Sequence, residues 1–395
     1  MTFGAYSKVI ILSLLVWASS DTAHAGHHAW QEKLTQLKFQ RDKIFEQLEE
    51  IHTHLVRRVQ QEAPALLARL SLDPPKPRAT GYGLLPVIQD NVPLVKVAPK
   101  QTSYSMEWLE GRMSEALESA NELADQLQHA TDLEPISAAF EQSIIGLRSL
   151  ENQLTYHEFW QESVVTYAKY FDGNNKRVAL AREMNELILN NQSPQRIANL
   201  RQRVLLNAAP FSVSEGLVIQ TMEGSEKVLP VTVCTDIEDA GFLANFQTGV
   251  HEAFSQSLAA RSHQFSVNLK WHRIGPDTLY PNGPPKLGAA IDVNTHLALF
   301  HDCYFVLTTG ASSTHALVGD RIILGTDPIS RRELAHEFAH LLGFSDAYLR
   351  GYDGKPGDPY GVVLIEWTGL TDDLMGSPGA GQVSSAMIET ILAAY

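Results

Sequence analysis

Eleven residues constrain this chain more than any other stretch: His336-Glu337-Phe338-Ala339-His340-Leu341-Leu342-Gly343-Phe344-Ser345-Asp346. Ser330 and Glu333 stand at capping-box spacing just upstream, and Leu334, Phe338 and Leu341 form an i, i+4, i+7 apolar stripe, so the run reads as a helix packed on a core. Two histidines four apart lie on one helix face, where His336 and His340 can aim at one cation with Glu337 beside them. Gly343 allows the left-handed turn that ends a helix, after which the chain swings back and offers Asp346. The chemistry this pattern suits is a zinc ion on His336, His340 and Asp346, with a fourth position kept for water. Zinc lowers the pKa of such a water to about 7, and Glu337 is the carboxylate placed to take its proton. The plainer alternative is a surface helix carrying two histidines and a solvated glutamate, and Gly343 and Asp346 weigh against it.

The span HExxHxxGxxD resembles the metzincin zinc peptidases, with Asp in place of their usual third histidine, as in the snapalysin-type variant. The resemblance implies a methionine in a tight turn beneath the metal. In the turn-rich run Asp372 to Gly379 the one methionine is Met375, a support residue like Gly343 rather than a ligand. Astacins and serralysins carry a Tyr two residues after that Met. Here Ser377 stands in its place, so no Tyr oxyanion helper is carried over. The aspzincins also use an Asp ligand, so the ligand set survives a shift of family to them. A rival third ligand, Glu366, would follow thermolysin-like enzymes, but those need it on a second helix and Val362 to Trp367 reads as a strand.

The composition fits folded domains: 395 residues, 44% hydrophobic and 19% charged. A formal net charge of −14, with most of the acidic excess after Ser214, argues against nucleic acid and anionic membranes as partners. Lys8, the apolar run Val9 to Ala18 and Ala23-His24-Ala25 have the form of a secretory signal peptide over residues 1–25, cleaved after Ala25. The expected location is therefore secreted or periplasmic, with no membrane span. Cys234 and Cys303 are the two cysteines. A disulfide between them and two separate buried thiols both remain open from sequence.

Along the chain, residues 26–72 read as a long amphipathic helix. Trp30, Leu34, Leu37, Ile44, Leu48, Ile51 and Leu55 recur at spacings of three and four, with Arg41 interrupting the stripe, as in a coiled-coil strand or a helix of an antiparallel bundle. Residues 73–103 form a Pro/Gly-rich connection or surface-hugging arm. Residues 104–210 read as a helical module, with Met106 to Leu127, Ile136 to Leu154, Phe159 to Tyr170, Val178 to Leu189 and Pro194 to Leu206 as its helices. His157, Glu158, Tyr167 and Tyr170 lack a matching third ligand and read as packing.

Residues 211–395 form the zinc metallopeptidase domain, and the fold class is α+β: an N-terminal all-α module, then a metzincin-like α/β domain with a mixed sheet and an active-site helix. Its expected elements are strand Leu229 to Asp236, helix Phe242 to Ala260, strand Phe265 to Ile274, short helix Asn294 to His301 and strand Tyr304 to Thr309. A hairpin of His315 to Val318 and Arg321 to Leu324 follows, joined by the two-residue turn Gly319-Asp320. Ser313 to Val318 is the candidate edge strand for pairing with an extended peptide substrate. Asp353 and Asp358 in Arg350 to Tyr360 read as turn chemistry rather than a calcium loop. His251, His263, His272, His296, His301 and His315 show no ligand spacing.

Two functions follow as expectations. The first is a secreted zinc-dependent endopeptidase acting on peptide or protein substrates. The second is a non-catalytic cell-envelope binding or scaffold protein with a structural metal. The helical half is either an inhibitory pro-region docked on the catalytic domain or a permanent scaffold or targeting module. It holds no cysteine, so a matrixin-like cysteine switch is excluded.

Overall fold

The computed structural model describes residues 6–70, 81–89, 100–166, 210–222, 226–258, 263–311, 313–352, 363–368, 371–377 and 380–395, together with position 75 and scattered positions between 176 and 203. The protein is α+β, and its chain divides into two compact units that do not follow a single break near residue 211. One unit takes Met1–Pro77, Thr102–Ala179 and Arg350–Glu366, and the other takes Arg78–Gln101, Leu180–Leu349 and Trp367–Tyr395.

The first unit is built on three helices, α1 (Tyr6–Glu62), α2 (Met106–His129) and α3 (Glu134–Thr166), with strand β1 (Lys100–Ser105) leading into α2. The stripe Trp30, Leu34, Leu37, Ile44, Leu48, Ile51 and Leu55 is buried in one cluster with Met106, Leu109, Met113, Leu123 and Leu127 from α2 and Phe140, Leu147 and Leu154 from α3. The amphipathic face of α1 is thus covered by its own chain. Arg41, where the stripe is interrupted, lies 3.9 Å from the buried Glu151 carboxylate of α3, which Arg148 also meets at 2.9 Å. A cation at a core position is tolerated there because it is paired.

Three expectations in this half are corrected. The first helix stops at Glu62, before a 3-10 turn over Pro64–Arg69, because Pro64 cannot continue the hydrogen-bond ladder. The two helices expected over Ile136 to Tyr170 are one, α3, since no Gly or Pro interrupts the chain between Leu154 and Phe159. The module is also not all-α: β1 belongs to a three-stranded sheet whose other members lie late in the chain. Tyr167 and Tyr170 lie outside the described residues. The described positions between 176 and 203 are mostly helical, with Arg203 and Glu183 paired at 3.0 Å.

In the second unit a short strand β2 (Gln220–Thr221) is followed by β3 (Lys227–Thr235), helix α4 (Ala240–Phe254), β4 (Gln256–Leu258) and β5 (His263–Arg273). Short helices α5 (Pro276–Leu279) and α6 (Val293–Leu297), strands β6 (Val306–Thr309), β7 (His315–Leu317) and β8 (Arg321–Leu324), and helix α7 (Arg331–Leu341) complete this run. The sheet order is β4-β5-β3-β6-β8-β7, with β2 beside β3. The strands β3, β5, β6 and β8 run parallel, while β7 pairs antiparallel with β8 at the edge. The helix expected to reach Ala260 ends at Phe254, and Gln256–Leu258 instead pairs with β5. The β7–β8 turn has three residues rather than two, because Leu317 faces Arg321. Val318, Gly319 and Asp320 form it, with Gly319 at φ +71°.

One face of the sheet carries α4 and α7 over a core of Leu229, Val231, Val233, Ile322, Leu324, Leu334 and Phe338. The other carries α5 and α6 over Val306, Ile323, Leu279 and Leu297. Cys234 and Cys303 form a disulfide on this side, with Cα atoms 6.1 Å apart. The described part of the Pro/Gly-rich connection does hug this unit: Tyr82 N–H donates to the Ala289 carbonyl at 3.0 Å, and Ile329 N–H to Val87 O and Gln89 N–H to Ile329 O at 2.9 Å each.

Past α7 come β9 (Leu349–Tyr352), which sequence patterning does not reveal, and β10 (Val363–Thr368), the strand expected around Glu366. They complete the small sheet β1-β10-β9. Asp353, Gly354, Gly357 and Asp358 lie outside the described residues. Helix α8 (Ser385–Ala394) then packs Met387, Ile388 and Ile391 into the main core. Among the described residues no helix is long and apolar enough to cross a membrane.

Candidate metal centre

Helix α7, which carries the candidate metal residues, starts as its sequence dictates. The Ser330 hydroxyl accepts from Glu333 N–H at 3.1 Å, and the Glu333 carboxylate accepts from Ser330 N–H at 2.7 Å. Its stripe of Leu334, Phe338 and Leu341 is fully buried, with Phe338 edge-on to Phe254 of α4 at 5.9 Å. Because the apolar stripe fixes the helix rotation, the opposite positions follow. The buried rings of His336 and His340 stand one turn apart, 4.8 Å between centroids and nearly perpendicular.

Each ring is oriented through Nδ1. His336 Nδ1 lies 2.9 Å from the Leu374 carbonyl and His340 Nδ1 lies 2.7 Å from the Phe344 carbonyl. An Nδ1–H held by a carbonyl leaves the neutral ring with its lone pair on Nε2, the arrangement found around metal-ligating histidines. Both Nε2 atoms point at Asp346, whose Oδ1 is 3.2 Å from that of His336 and 3.3 Å from that of His340. The three ligand atoms fall within 4.8 Å of one another.

Gly343 turns the chain toward that aspartate at φ +98°, the left-handed conformation expected of it. Met375 is buried, but its turn reaches the site through backbone. Leu374 O holds His336, and Met375 O accepts from Ala347 N–H at 2.9 Å, next to Asp346. The turn is closed by Asp373, whose carboxylate accepts from Met375 N–H at 2.8 Å and whose carbonyl accepts from Ser377 N–H at 2.9 Å.

Charge is arranged tightly here. Burial pushes the Glu337 carboxyl above its ordinary range, against the lowering pull of His336 and His340, and its Oε2 is buried with no hydrogen-bond partner. Burial also pushes the Asp346 carboxyl up, but pairing with His336 and His340 outweighs that and holds it far below the usual carboxylate range. For His340 burial acts downward, while Asp346, Glu337 and the Phe344 carbonyl together raise it to about 9.

Asp346 Oδ1 is buried yet makes no hydrogen bond of good geometry, although the side chain as a whole keeps 39% of its surface. Two imidazole nitrogens and a carboxylate oxygen, converging and short of donors, are a donor set that suits zinc and leaves an open coordination position. The structure therefore brings together His336, Glu337, His340 and Asp346, with Gly343 and Met375 in support.

Among the described residues no other histidine joins them. His296 is buried among Thr308 Oγ1 at 2.7 Å, Asp236 Oδ2 at 3.3 Å and the Tyr280 hydroxyl, a satisfied polar cluster on the far face of the sheet. His315 begins β7, exposed, with Nδ1 on the Ser313 carbonyl at 2.9 Å. Sequence reading passed over Tyr348, whose ring stacks near-parallel to His336 at 6.1 Å. Its only signal is an aromatic two positions after the third ligand. No protein-family model matches the chain, and no curated protein or solved structure matches it.

Proposed function

We propose that this protein is a zinc-dependent endopeptidase of metzincin type. The observation that carries the reading is the convergence of His336 Nε2, His340 Nε2 and Asp346 Oδ1 beside Glu337, a half-buried residue whose Oε2 is buried without a hydrogen-bond partner. A buried carboxylate oxygen without a partner is costly, and a purely structural metal site has no use for one. The edge position of β7 beside α7 supports the reading as well, since it leaves one row of backbone groups open for an extended peptide.

Zinc, when bound, supplies Lewis acidity and lowers the pKa of water. His336 and His340 would hold it through Nε2, oriented by the Leu374 and Phe344 carbonyls, and Asp346 would supply an anionic oxygen. Glu337 takes the proton of the attacking water and passes it to the leaving amine. Burial favours its protonated form, and the nearby His336 and His340 favour its carboxylate.

Export to an oxidising compartment fits the leader-like residues 1–25, and the Cys234–Cys303 disulfide supports it. The interleaved chain supports a permanent helical module over a removable pro-region. Arg78–Gln101 belongs to the unit that holds the metal residues, and Arg350–Glu366, between Asp346 and Met375, belongs to the other. One cut near residue 211 therefore does not part the two units cleanly.

The test is a pair of variants. Asp346→Ala loses zinc, with affinity down at least tenfold. Glu337→Gln keeps zinc and loses turnover of a peptide library. A Glu337→Gln protein that still cleaves peptides would sink the mechanism.

A further inference from the structure

The last carbonyls of a helix have no partner within it, and in most helices water or a local cap satisfies them. At the end of the metal helix four consecutive carbonyls find donors from far away in the sequence. Gly319 N–H donates to His340 O at 2.9 Å, Ser214 Oγ to Leu341 O at 2.8 Å, the Tyr395 hydroxyl to Leu342 O at 2.9 Å, and Ser212 N–H to Gly343 O at 2.8 Å. The Tyr395 hydroxyl also accepts from Ser214 N–H at 2.8 Å, so it joins the helix end to the incoming chain. Phe211 packs edge-on against Phe344 at 4.9 Å and Tyr395 at 6.2 Å. Beyond it, Ser345 Oγ donates to Pro210 O at 2.9 Å.

Every residue so gripped lies in the stretch from the second ligand, His340, to Ser345, just before the third, Asp346. The same stretch supplies Phe344 O, which orients His340. Among the described residues the Asp346 carboxylate meets only the two imidazoles, so its place is set by the backbone that carries it.

We infer that the strap Pro210–Ser214 and the Tyr395 hydroxyl form a clamp that positions Asp346 for metal binding. They are positioning residues, acting through the peptide planes of Leu341 to Ser345. The inference rests on the zinc reading above and adds to it groups that no motif marks.

The experiment uses the full chain with Tyr395→Phe and Ser214→Ala. Zinc affinity is read by competition with a chelator, coordination by the d–d bands of the Co(II)-loaded protein, and fold by melting of the metal-free form. The clamp predicts roughly tenfold weaker zinc binding in each, as for outer-shell partners of metal ligands, and altered Co(II) bands. Wild-type affinity and bands in both variants overturn it. So does a lower metal-free melting temperature with the affinity of the folded protein unchanged, the signature of a purely structural role. If Tyr395→Phe does not fold, Ser345→Ala reads the same clamp from its exposed rim. Unchanged zinc binding in Asp346→Ala sinks the metal assignment itself, whereas loss there with wild-type behaviour in Tyr395→Phe sinks the clamp alone.

Discussion

Replacing Gly343 by Ala tests how the third ligand is delivered, and two separate costs can be read from the structure. The backbone sits at φ +98°, which costs an L-residue about 1–2 kcal/mol. A Cβ there would also lie 1.8 Å from the Ser212 carbonyl oxygen and 2.9 Å from its carbon, so the strap must move by more than an ångström. That movement breaks the 2.8 Å bond from Ser212 N–H to Gly343 O, a further loss of roughly 1 kcal/mol. Together these give about 3 kcal/mol, or a fall of roughly 10 °C in the melting temperature of a domain this size. Gly283 supplies the control: it stands at φ +102°, but a Cβ there meets nothing within 4 Å. Gly283→Ala should show the backbone cost alone, about 1–2 kcal/mol. Thermal unfolding of the metal-free proteins by circular dichroism, with zinc titration beside it, separates the two. Equal melting temperatures for the two variants, or wild-type zinc affinity in Gly343→Ala, would refute the account of Gly343 as the hinge on which Asp346 is placed.

Removing the disulfide with Cys234→Ser and Cys303→Ser should cost about 4 kcal/mol in the chain-entropy model for a separation of 69 residues. A melting temperature that does not change on reduction would contradict this. For the metal-free protein, His340 is raised from 6.5 to about 9, so the stability it contributes is complete below about pH 6.5 and lost as pH rises through about 9. Asp346 is lowered from 3.8, so its contribution is present above that value and lost at lower pH. Metal-free protein should therefore be most stable between about pH 4 and 6.5, and Asp346→Asn should flatten the alkaline fall. A wild-type melting temperature constant from pH 6 to 10 would count against the pairing.

Much of the site was legible because it is local. Ser330, Glu333, the apolar stripe and the spacing of His336, Glu337 and His340 are all consequences of 3.6 residues per turn, and a capped helix with one buried face leaves little freedom. Gly343 was legible for a similar reason, since a left-handed residue after a helix is written into the chain as glycine. The stripe from Trp30 to Leu55 likewise announced a buried helix, and Arg41 its exception. The three-residue turn at Gly319 and the early end of α4 at Phe254 were not legible, because strand pairing decided both. Nor could the sequence say that Leu374 and Phe344 lend carbonyls to the two histidines, for a backbone carbonyl has no residue signature. The pairing of Cys234 with Cys303 required strand β3 to meet the connection that precedes β6. Residues 210–214 and Tyr395 reach the end of α7 only after the chain has closed on itself, and hydrogen bonds across 53 residues, from Tyr395, and 127, from Ser214, leave no periodicity to read. Sequence by itself determined which side chains of the helix share the face of the candidate site, because helix geometry acts over a single turn. Tertiary structure decided what holds them there, because the donors and carbonyls that fix each ligand come from segments that folding alone brings together.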